Sequence, residues 1–517
     1  MTERDQGTRG RVAWATRLDG IELQVEHRSG GPSLHILQAG GQGEPSRPWL
    51  RFDCFERRPH FHLDPHGRDE RVDMGRVGDP VDWTLTHLRA DLAGWLAKAG
   101  CSGIDVPDPE ATERALAEAE AALRNPRPRL DDLDEATLRS RASEKWAYYG
   151  DDVLPAWVAE MDFPVAEPIR LVLQRAVDRS DLGYPIDPRK TGLLEAFRDR
   201  MADRFDWQVE THRSEIVADV VQALYIALGA YTEPGDGAVV RTPIYPPFLN
   251  ALEDLDRRLV ESRAEPDGAR FGFDMDALRA AADARTRILL LCSPHNPTGR
   301  VFDRHELSEL AEFALERDLV VVSDEIHSDL VYPERTFVPF ASLGPEIARR
   351  TVTLTSATKS FNIPGLRCAV AHFGSSGLQR AFNASVPRNV RGGLGLLGLY
   401  ATREAWRHAQ PWLDQVLAYL DGNRRFVVRF VEERLPGVRC FGPEATYMAW
   451  LDFRACELPT TPGRFLLEEA RVALADGQRF GSGFEGFARL NFATSRSILT
   501  RVLEAIEDAL ARRAARA

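Results

Sequence analysis

The chain has 517 residues, of which 44% are hydrophobic and 28% are charged, and its formal net charge is −12. This length predicts two or three domains, and the acidic balance argues against binding to nucleic acid or to an anionic membrane. We find no apolar run near the roughly 18 residues of a membrane span and expect no signal peptide. Because the six cysteines follow no CxxC spacing, we expect reduced thiols and a cytoplasmic protein.

Residues 1–125 predict a small α+β domain, and a linker is expected at 126–140. Apolar and polar residues first alternate as in half-buried strands, and the spacing then becomes helical. Prolines after Asn125 break the last helix of this part. The predicted strands begin at Ile21, Ser33, Trp49 and His60, and the predicted helices cover 82–96 and 109–124.

The same part of the chain contains a group of histidines. His60 and His62 are two residues apart, so a strand places both imidazoles on one face, and Asp64 and His66 follow. Histidine and aspartate side chains are common zinc ligands in proteins. The sequence offers no closed ligand set, however, which favours a polar strand face with a turn at Asp64. We therefore predict no metal.

Residues 141–512 predict an α/β domain with a mostly parallel sheet. Short β-branched runs alternate with amphipathic helices, which indicates strands that are buried on both faces. We expect a large lobe at about 181–400 and a small lobe from 141–180 and about 400–512. In such sheets ligands bind beyond the carboxyl ends of the strands. The predicted strands begin at Glu215, Ala238, Ile288, Leu319, Val352 and Cys368 in the large lobe, and at Tyr447 and Phe487 in the small lobe.

Lysine is scarce in this chain, and one lysine follows a predicted strand. Lys359 comes just after the apolar run at 352–354, and the chain has only three other lysines, Lys98, Lys145 and Lys190. Lysine offers a primary amine that can lose its proton, which arginine does not. Lys359 is therefore a candidate for a Schiff base with pyridoxal phosphate. The alternative is a surface lysine at a strand end.

A pyridoxal phosphate site also needs an acid at the ring nitrogen, a phosphate cup and an arginine for the substrate carboxylate. Asp324 ends a buried run, where a carboxylate is costly unless it is paired; a helix cap or salt bridge is the alternative. Arg489 lies in an apolar strand and needs an anion, either a substrate carboxylate or a structural acid. The remaining candidates are Asn296, in a loop that can aim its amide at a ring oxygen or be only a turn, and Ser356, Thr358 and Arg367, which could hold a phosphate.

Three motifs resemble the fold-type I, class I/II aminotransferase superfamily that depends on pyridoxal phosphate. They are SPHNPTG at 293–299, SDEIHSDL at 323–330 and SATKSFNIPG at 356–365. Within it, the segments that begin at Trp157, Leu182, Thr242 and Thr446 resemble the MalY/PatB-type cystathionine β-lyases. The resemblance covers roughly 140–512 and does not extend to residues 1–125.

This resemblance implies roles for the cofactor-binding residues. Lys359 would carry the cofactor and move protons, Asp324 would pair with the ring nitrogen, and Asn296 would bind the 3-oxygen. Tyr245 would stack on the ring as a further catalytic residue. The phosphate cup would comprise Ser356, Thr358, Arg367 and the backbone of Val220 and Val221.

The resemblance also implies how substrate and a second subunit are bound. Arg489 would bind the substrate carboxylate, with Tyr447 nearby. Tyr184 would reach the cofactor phosphate and the substrate in the partner subunit, which implies a homodimer with shared sites. Tyr148, Tyr149 and Trp157 are either the walls of the substrate entrance or core aromatic residues.

Asp219 departs from the family pattern, which usually has a small residue, often glycine, at this position. Aspartate is well suited to begin the helix at Val220. Beside a phosphate dianion, however, its charge is repulsive. Either the carboxylate points away from the phosphate cup or the cup is altered, and we expect the first.

The resemblance implies a carbon–sulfur β-lyase that converts an L-cysteine S-conjugate or a cystathionine-like thioether to a thiol, pyruvate and ammonia. The extra N-terminal domain suits specialised metabolism such as antibiotic biosynthesis. Two alternatives use the same core residues: decarboxylating oxidative deamination of a cysteine conjugate, as in lincosamide-type pathways, and transamination. A transcription regulator with an aminotransferase-like domain is disfavoured, because the pattern of residues 1–125 does not predict a basic DNA-recognition helix.

Overall fold

The computed structural model describes 11–18, 21–28, 31–38, 47–55, 58–64, 69–75, 77–101, 108–124, 130–185, 187–264, 266–267, 270–272 and 274–516. His66 and the proline-rich stretch at 125–129 lie outside these residues. The chain divides into two compact units, 1–128 with 166–168, and 129–165 with 169–517. Within the described ranges, no helix combines the length and the apolar character that crossing a membrane requires.

The N-terminal unit is a six-stranded antiparallel sheet whose strands follow chain order, with two helices packed on one face. Alternation assigns the faces, since Leu23 and Phe52 enter the core with the helices while their neighbours point to the other face. The elements are β1 (Arg11–Leu18), β2 (Ile21–Arg28), β3 (Gly31–Gln38), β4 (Arg47–Asp53), β5 (His60–Leu63), β6 (Glu70–Asp73), α1 (Pro80–Lys98) and α2 (Pro109–Arg124).

These elements confirm the predicted α+β class of this part. The four predicted strands and both helices are present, while β1 and β6 were missed. In β6 only Val72 is apolar, and in β1 the pairing with β2 shifts register between Val12 and Trp14. Asp79 caps α1 by accepting hydrogen bonds from the backbone N–H groups of Val81 and Asp82.

The second unit is built on a seven-stranded sheet with a smaller antiparallel sheet after it in the chain. Its strands are β7 (Leu154–Pro155), β8 (Ser214–Val217), β9 (Gly237–Thr242), β10 (Arg258–Arg263), β11 (Pro266–Asp267), β12 (Arg270–Phe271), β13 (Thr286–Cys292), β14 (Val320–Asp324), β15 (Thr351–Thr355), β16 (Ala369–Phe373), β17 (Arg439–Phe441), β18 (Met448–Asp452), β19 (Val472–Ala473), β20 (Ala475–Asp476) and β21 (Phe487–Asn491).

Helices connect and cover these strands. They are α3 (Glu135–Arg139), α4 (Glu144–Ala147), α5 (Glu167–Asp178), α6 (Leu193–Phe205), α7 (Val220–Tyr231), α8 (Pro246–Asp254), α9 (Met275–Ala281), α10 (Arg304–Glu316), α11 (Pro345–Ala348), α12 (Ser376–Ser385), α13 (Arg388–Arg391), α14 (Leu396–His408), α15 (Gln410–Arg434), α16 (Pro462–Glu469) and α17 (Arg496–Arg516).

The large sheet has the strand order β10-β9-β13-β14-β15-β16-β8. All neighbours pair in parallel except β16, which is antiparallel to both β15 and β8. The expected mostly parallel sheet is therefore confirmed. The edge strand β10 was missed, because its sequence RLVESR is largely polar and exposed. Core strands such as β9 and β15 are buried along their whole length, which explains why they read as continuous apolar runs.

Candidate active site

Three neighbouring strands of the large sheet bring the predicted polar residues to one edge. Cys292, at the end of β13, pairs with Asp324, at the end of β14, and Asp324 pairs in turn with Leu354 of β15. The loops at 293–299 and 356–365 therefore leave the same edge of the sheet, on either side of the strand that ends at Asp324. A cavity of about 800 Å³ at this edge is lined by residues that include Lys359, Tyr245 and Arg489.

Lys359 lies in this cavity with its amine held by the backbone. Its Nζ donates a hydrogen bond to the carbonyl oxygen of Ala159 at 3.0 Å. The Tyr447 hydroxyl donates to the same oxygen, also at 3.0 Å. Burial lowers the pKa of Lys359 to about 8, and the charge of Arg489 acts in the same direction. The neutral, nucleophilic form of the amine is thus far more populated near physiological pH than in an ordinary lysine.

Asp324 is buried at the end of β14. Burial raises the pKa of its carboxyl group to about 7, and the charge of Lys359 opposes this rise. One oxygen accepts a hydrogen bond from the backbone N–H of Ile326 at 3.1 Å. Among the described residues no arginine forms an ion pair with Asp324, so the salt-bridge alternative is not seen. A buried acid of this kind suits a partner that brings its own positive charge.

Arg489 is a buried guanidinium that contacts neutral acceptors. It donates to the amide oxygen of Asn296 at 2.8 Å and to the carbonyl oxygen of Trp157 at 2.9 Å. Its buried Nε has no hydrogen-bond partner, and no acid within the described ranges forms an ion pair with it. Burial lowers its pKa to about 10. A cation in this state suits an added carboxylate, because leaving a buried donor unsatisfied is costly.

The residues predicted to bind phosphate lie at the N-terminus of α7 and in the loop around Lys359. Val220 and Val221 open α7, whose first N–H groups can bind an anion. The Ser356 hydroxyl donates to the carbonyl oxygen of Cys368 at 2.6 Å and accepts the backbone N–H of Thr358 at 3.0 Å. These bonds hold the loop that follows β15.

Asp219 does not point away from this cup, contrary to our expectation. One carboxylate oxygen caps α7 by accepting the N–H of Gln222 at 2.7 Å. The other forms an ion pair with Arg367, the arginine predicted to bind phosphate. Arg367 has a φ of +43°, and this left-handed turn carries its side chain to the start of α7. A phosphate bound here would therefore compete with Asp219 for Arg367.

Three other predicted groups have distinct positions. Tyr245 precedes α8 and lines the cavity, and burial raises the pKa of its hydroxyl. Tyr184 is fully exposed in the single chain. Trp157 is buried, lines the cavity and packs against Tyr148 and Tyr149, with ring centroids 5.1 and 5.5 Å away. Because Tyr148 is exposed, this aromatic cluster runs from the cavity wall to the surface.

Sequence reasoning missed how the segment from Trp157 to Phe163 is held. The Asn491 amide donates to the carbonyls of Val158 and Glu160, and the Asn362 amide donates to those of Met161 and Phe163. Backbone carbonyls of this segment accept the hydrogen bonds that Lys359, Tyr447 and Arg489 donate. Backbone acceptors leave no trace in a sequence, and the available signal was the position of Asn362 in the lysine motif and of Asn491 after Arg489.

A buried ion pair also fixes this segment. Lys145 and Asp162 are 2.9 Å apart, each with only 1% of its side chain exposed. Asp162 also accepts a hydrogen bond from the indole N–H of Trp146 at 2.7 Å. Such a pair is costly to break from one side. It ties α4 to the segment whose Ala159 carbonyl accepts the hydrogen bond from Lys359.

A mostly parallel sheet with an acid at its carboxyl edge, followed by a lysine that shares a cavity with a buried arginine of β21, is typical of the class I and II aminotransferase type of enzyme. The model of the family described as Aminotransferase class I and II matches residues 189–506, and the chain belongs to this family. Residues 14–122 match a separate family, described as a domain of unknown function, DUF7700.

The second unit is similar to named proteins along almost their full length. Cystathionine beta-lyase PatB of Bacillus subtilis is 36% identical over 376 residues, which are 71% of this chain and 96% of PatB. The crystal structure of OvoB is 36% identical with a TM-score of 0.69, covering 72% of this chain and 97% of OvoB. Cystalysin from Treponema denticola, whose structure contains a pyridoxal 5'-phosphate cofactor, is 31% identical with a TM-score of 0.69, covering 72% and 97%.

Proposed function

We propose that this protein is a pyridoxal-phosphate-dependent carbon–sulfur β-lyase that cleaves an L-cysteine S-conjugate to a thiol, pyruvate and ammonia. The observation that carries the proposal is the presence, in one cavity, of an amine of lowered pKa and a buried arginine that has no acidic partner among the described residues. The two fit an amino acid substrate. The similarity to a cystathionine β-lyase and to cystalysin favours cleavage of a carbon–sulfur bond.

The residues present fit the cofactor. Asp324 is a buried acid without an arginine partner among the described residues, which suits the ring nitrogen, and Lys359 is the only lysine that lines the cavity. Asn296 and Tyr245 would hold the ring, and the start of α7 with Ser356, Thr358 and Arg367 would hold the phosphate. When bound, this group supplies a ring that withdraws electrons from the substrate Cα.

The side chains of this protein then have defined tasks. Arg489 binds the substrate carboxylate through its guanidinium fork and thereby orients the Cα–H bond. Lys359, neutral near its pKa of about 8, accepts the Cα proton at Nζ. Trp157 and Tyr245 exclude water from this side of the cavity. Departure of the thiolate from Cβ and addition of one water give the thiol, pyruvate and ammonia.

We also propose that the protein forms a homodimer in the cytoplasm, with Tyr184 reaching the site of the second copy. Tyr184 and Leu182 are exposed beside each other, which suits an interface. The proposed domain boundaries are 1–125 for the N-terminal domain, 126–140 for the linker and 141–512 for the α/β domain. Light scattering of the purified protein tests the dimer. Mixing Tyr184→Ala with Lys359→Ala tests the shared site, because such a mixed dimer restores one intact site and a monomeric site gains nothing.

The experiment that tests the reaction is an assay with several cysteine S-conjugates. Pyruvate, free thiol and CO2 are each measured, with Lys359→Ala as the inactive control. Equal amounts of pyruvate and thiol support the proposal. Release of CO2 with the sulfur retained contradicts it in favour of oxidative decarboxylation, and product formation that requires an added keto acid contradicts it in favour of transamination.

A further inference from the structure

The polar face of the N-terminal sheet carries two histidines and an aspartate side by side. Asp53 of β4 pairs in register with His60 of β5, and His62 follows on the same face. The face is the one opposite the helices, because Phe52 and Phe61 between them enter the core. All three polar side chains are more than nine-tenths buried. The interpretation from sequence included Asp64 and His66 instead, and it did not connect Asp53 with the histidines.

Three possible ligand atoms converge at this point. The Asp53 Oδ2 lies 3.1 Å from His60 Nε2 and 3.5 Å from His62 Nε2. All ligand atoms of the group lie within 4.8 Å of one another. Zinc binds such atoms at about 2.0–2.1 Å in a tetrahedron, which places neighbouring ligand atoms about 3.3 Å apart. The two measured separations bracket this value.

Hydrogen bonds on the far side of each ring direct the lone pairs inward. His60 Nδ1 lies 2.9 Å from the carbonyl oxygen of Arg58, which can only accept, so this nitrogen carries the proton. Arg71 approaches the same nitrogen only at 3.4 Å. His62 Nδ1 lies 2.7 Å from a carboxylate oxygen of Asp69 and is likewise the donor. With Nδ1 as the donor, each ring in its neutral form presents the Nε2 lone pair on the side of Asp53, as histidines do in metal sites.

Asp53 is held in place by a further hydrogen bond. Its other oxygen accepts the hydroxyl of Ser33 at 2.6 Å, so Oδ2 stays directed at the two imidazoles. Asp53 Oδ2 and the Nε2 of a neutral His60 are both acceptors 3.1 Å apart, which is unfavourable unless a proton or a cation lies between them. The oriented rings and the anchored carboxylate thus form a preorganised ligand set.

Arg51 supplies positive charge to part of this group. Its Nε lies 3.1 Å from Asp53 Oδ2, and its Nη2 lies 2.6 Å from His62 Nε2. No contact joins it to His60 within the described residues, so the His60 lone pair faces Asp53 directly. The Arg51 side chain is 21% exposed, and it can turn outward when a metal enters.

We propose that Asp53, His60 and His62 bind one divalent transition metal ion of the zinc class, with Asp69 as a positioning residue and a water as the remaining ligand. Two imidazole nitrogens and one carboxylate oxygen are a ligand set that zinc accepts. This site belongs to the N-terminal unit and is independent of the proposed lyase activity. Arg51 competes with the metal for Asp53 and His62.

The experiment uses the tag-free full-length protein after treatment with a chelator and dialysis. Zn2+ binding is measured by calorimetry, and Co2+ is added as a probe whose visible absorption reports low coordination. We expect one equivalent per chain. His60→Ala and His62→Ala should each weaken binding at least 10-fold, and Asp69→Asn about 10-fold. Arg51→Met should tighten binding, because it removes the competing cation.

The matched control is His212→Ala, which removes an exposed histidine and should leave the affinity unchanged. Circular dichroism of each variant checks that the fold is intact. Binding that is equally tight in the two histidine variants would place the metal elsewhere and overturn the proposal. Absence of stoichiometric binding, or weaker binding in Arg51→Met, would overturn it as well and leave Arg51 as a purely structural partner.

Discussion

Asp219→Asn removes one negative charge from the proposed phosphate cup while keeping the helix cap. Asparagine and aspartate are about equally good at this cap position, so α7 should be unaffected. The Asp219 carboxylate now pairs with Arg367, and a phosphate must compete with it for that arginine. We therefore expect tighter binding of pyridoxal phosphate in the variant.

The expected size follows from the exposure of the pair. The Asp219 and Arg367 side chains are 26% and 68% exposed, and an exposed ion pair contributes roughly 0.2–1 kcal/mol. Relief of repulsion from the phosphate adds about 1 kcal/mol for charges near 4 Å in water. The sum is about 1–2 kcal/mol, which corresponds to a roughly 10-fold lower Kd.

The assay is titration of the apoenzyme with pyridoxal phosphate, followed by the absorbance of the lysine-bound cofactor. Asp303→Asn is the matched control, since Asp303 caps α10 in the same way and contributes nothing to the cup. The Kd of this control should equal that of the unmodified protein. An unchanged or higher Kd in Asp219→Asn would refute the reasoning and show that Asp219 acts only as a helix cap.

Three other predictions follow from the contacts of the site. Arg489→Lys keeps the charge but cannot form two parallel hydrogen bonds with the substrate carboxylate. We therefore expect kcat/KM to fall roughly 30-fold, which corresponds to a loss of about 2 kcal/mol in transition-state stabilisation. A steady-state assay that shows no fall contradicts the proposed role of Arg489 in carboxylate binding. Lys145→Met leaves Asp162 buried and unpaired, which should lower the free energy of unfolding by about 3–5 kcal/mol in urea, whereas the exposed Lys190→Met should not. Because the pKa of Lys359 is lowered to about 8, its neutral fraction increases as pH rises through 8. The rate of cofactor capture by apoenzyme should rise there and not near 10.5.

The sequence was most informative where burial forces a simple pattern. Strands such as β13 and β15 are buried along almost their whole length, so only apolar and β-branched residues suit them. The sequence singled out Lys359 and Asp324 as candidates because a polar residue at the end of such a run needs a partner or a function. Charged edge strands such as β10 carry no equivalent constraint, and we missed them.

Contacts between distant residues could not be predicted from local pattern. Arg367 and Asp219 are 148 positions apart, and their pairing depends on where a left-handed turn lies relative to a helix start. Asp53 precedes His60 by only seven residues, yet it joins the histidines through the register of a hairpin. The Ala159 carbonyl accepts hydrogen bonds from both Lys359 and Tyr447. Because it is a backbone group, the residue type at this position does not reveal its role.

The scarcity of lysine makes the proposed active site easy to identify by peptide mapping. Of the four lysines, Lys145 is enclosed in its ion pair, while Lys98 and Lys190 are exposed on the surface. Borohydride reduction of the loaded protein would fix the cofactor on one amine and block trypsin there. Arginines at 350 and 367 flank the site, so the label should appear on a single peptide spanning Thr351 to Arg367. One mass spectrum would then distinguish Lys359 from every other amine in the chain.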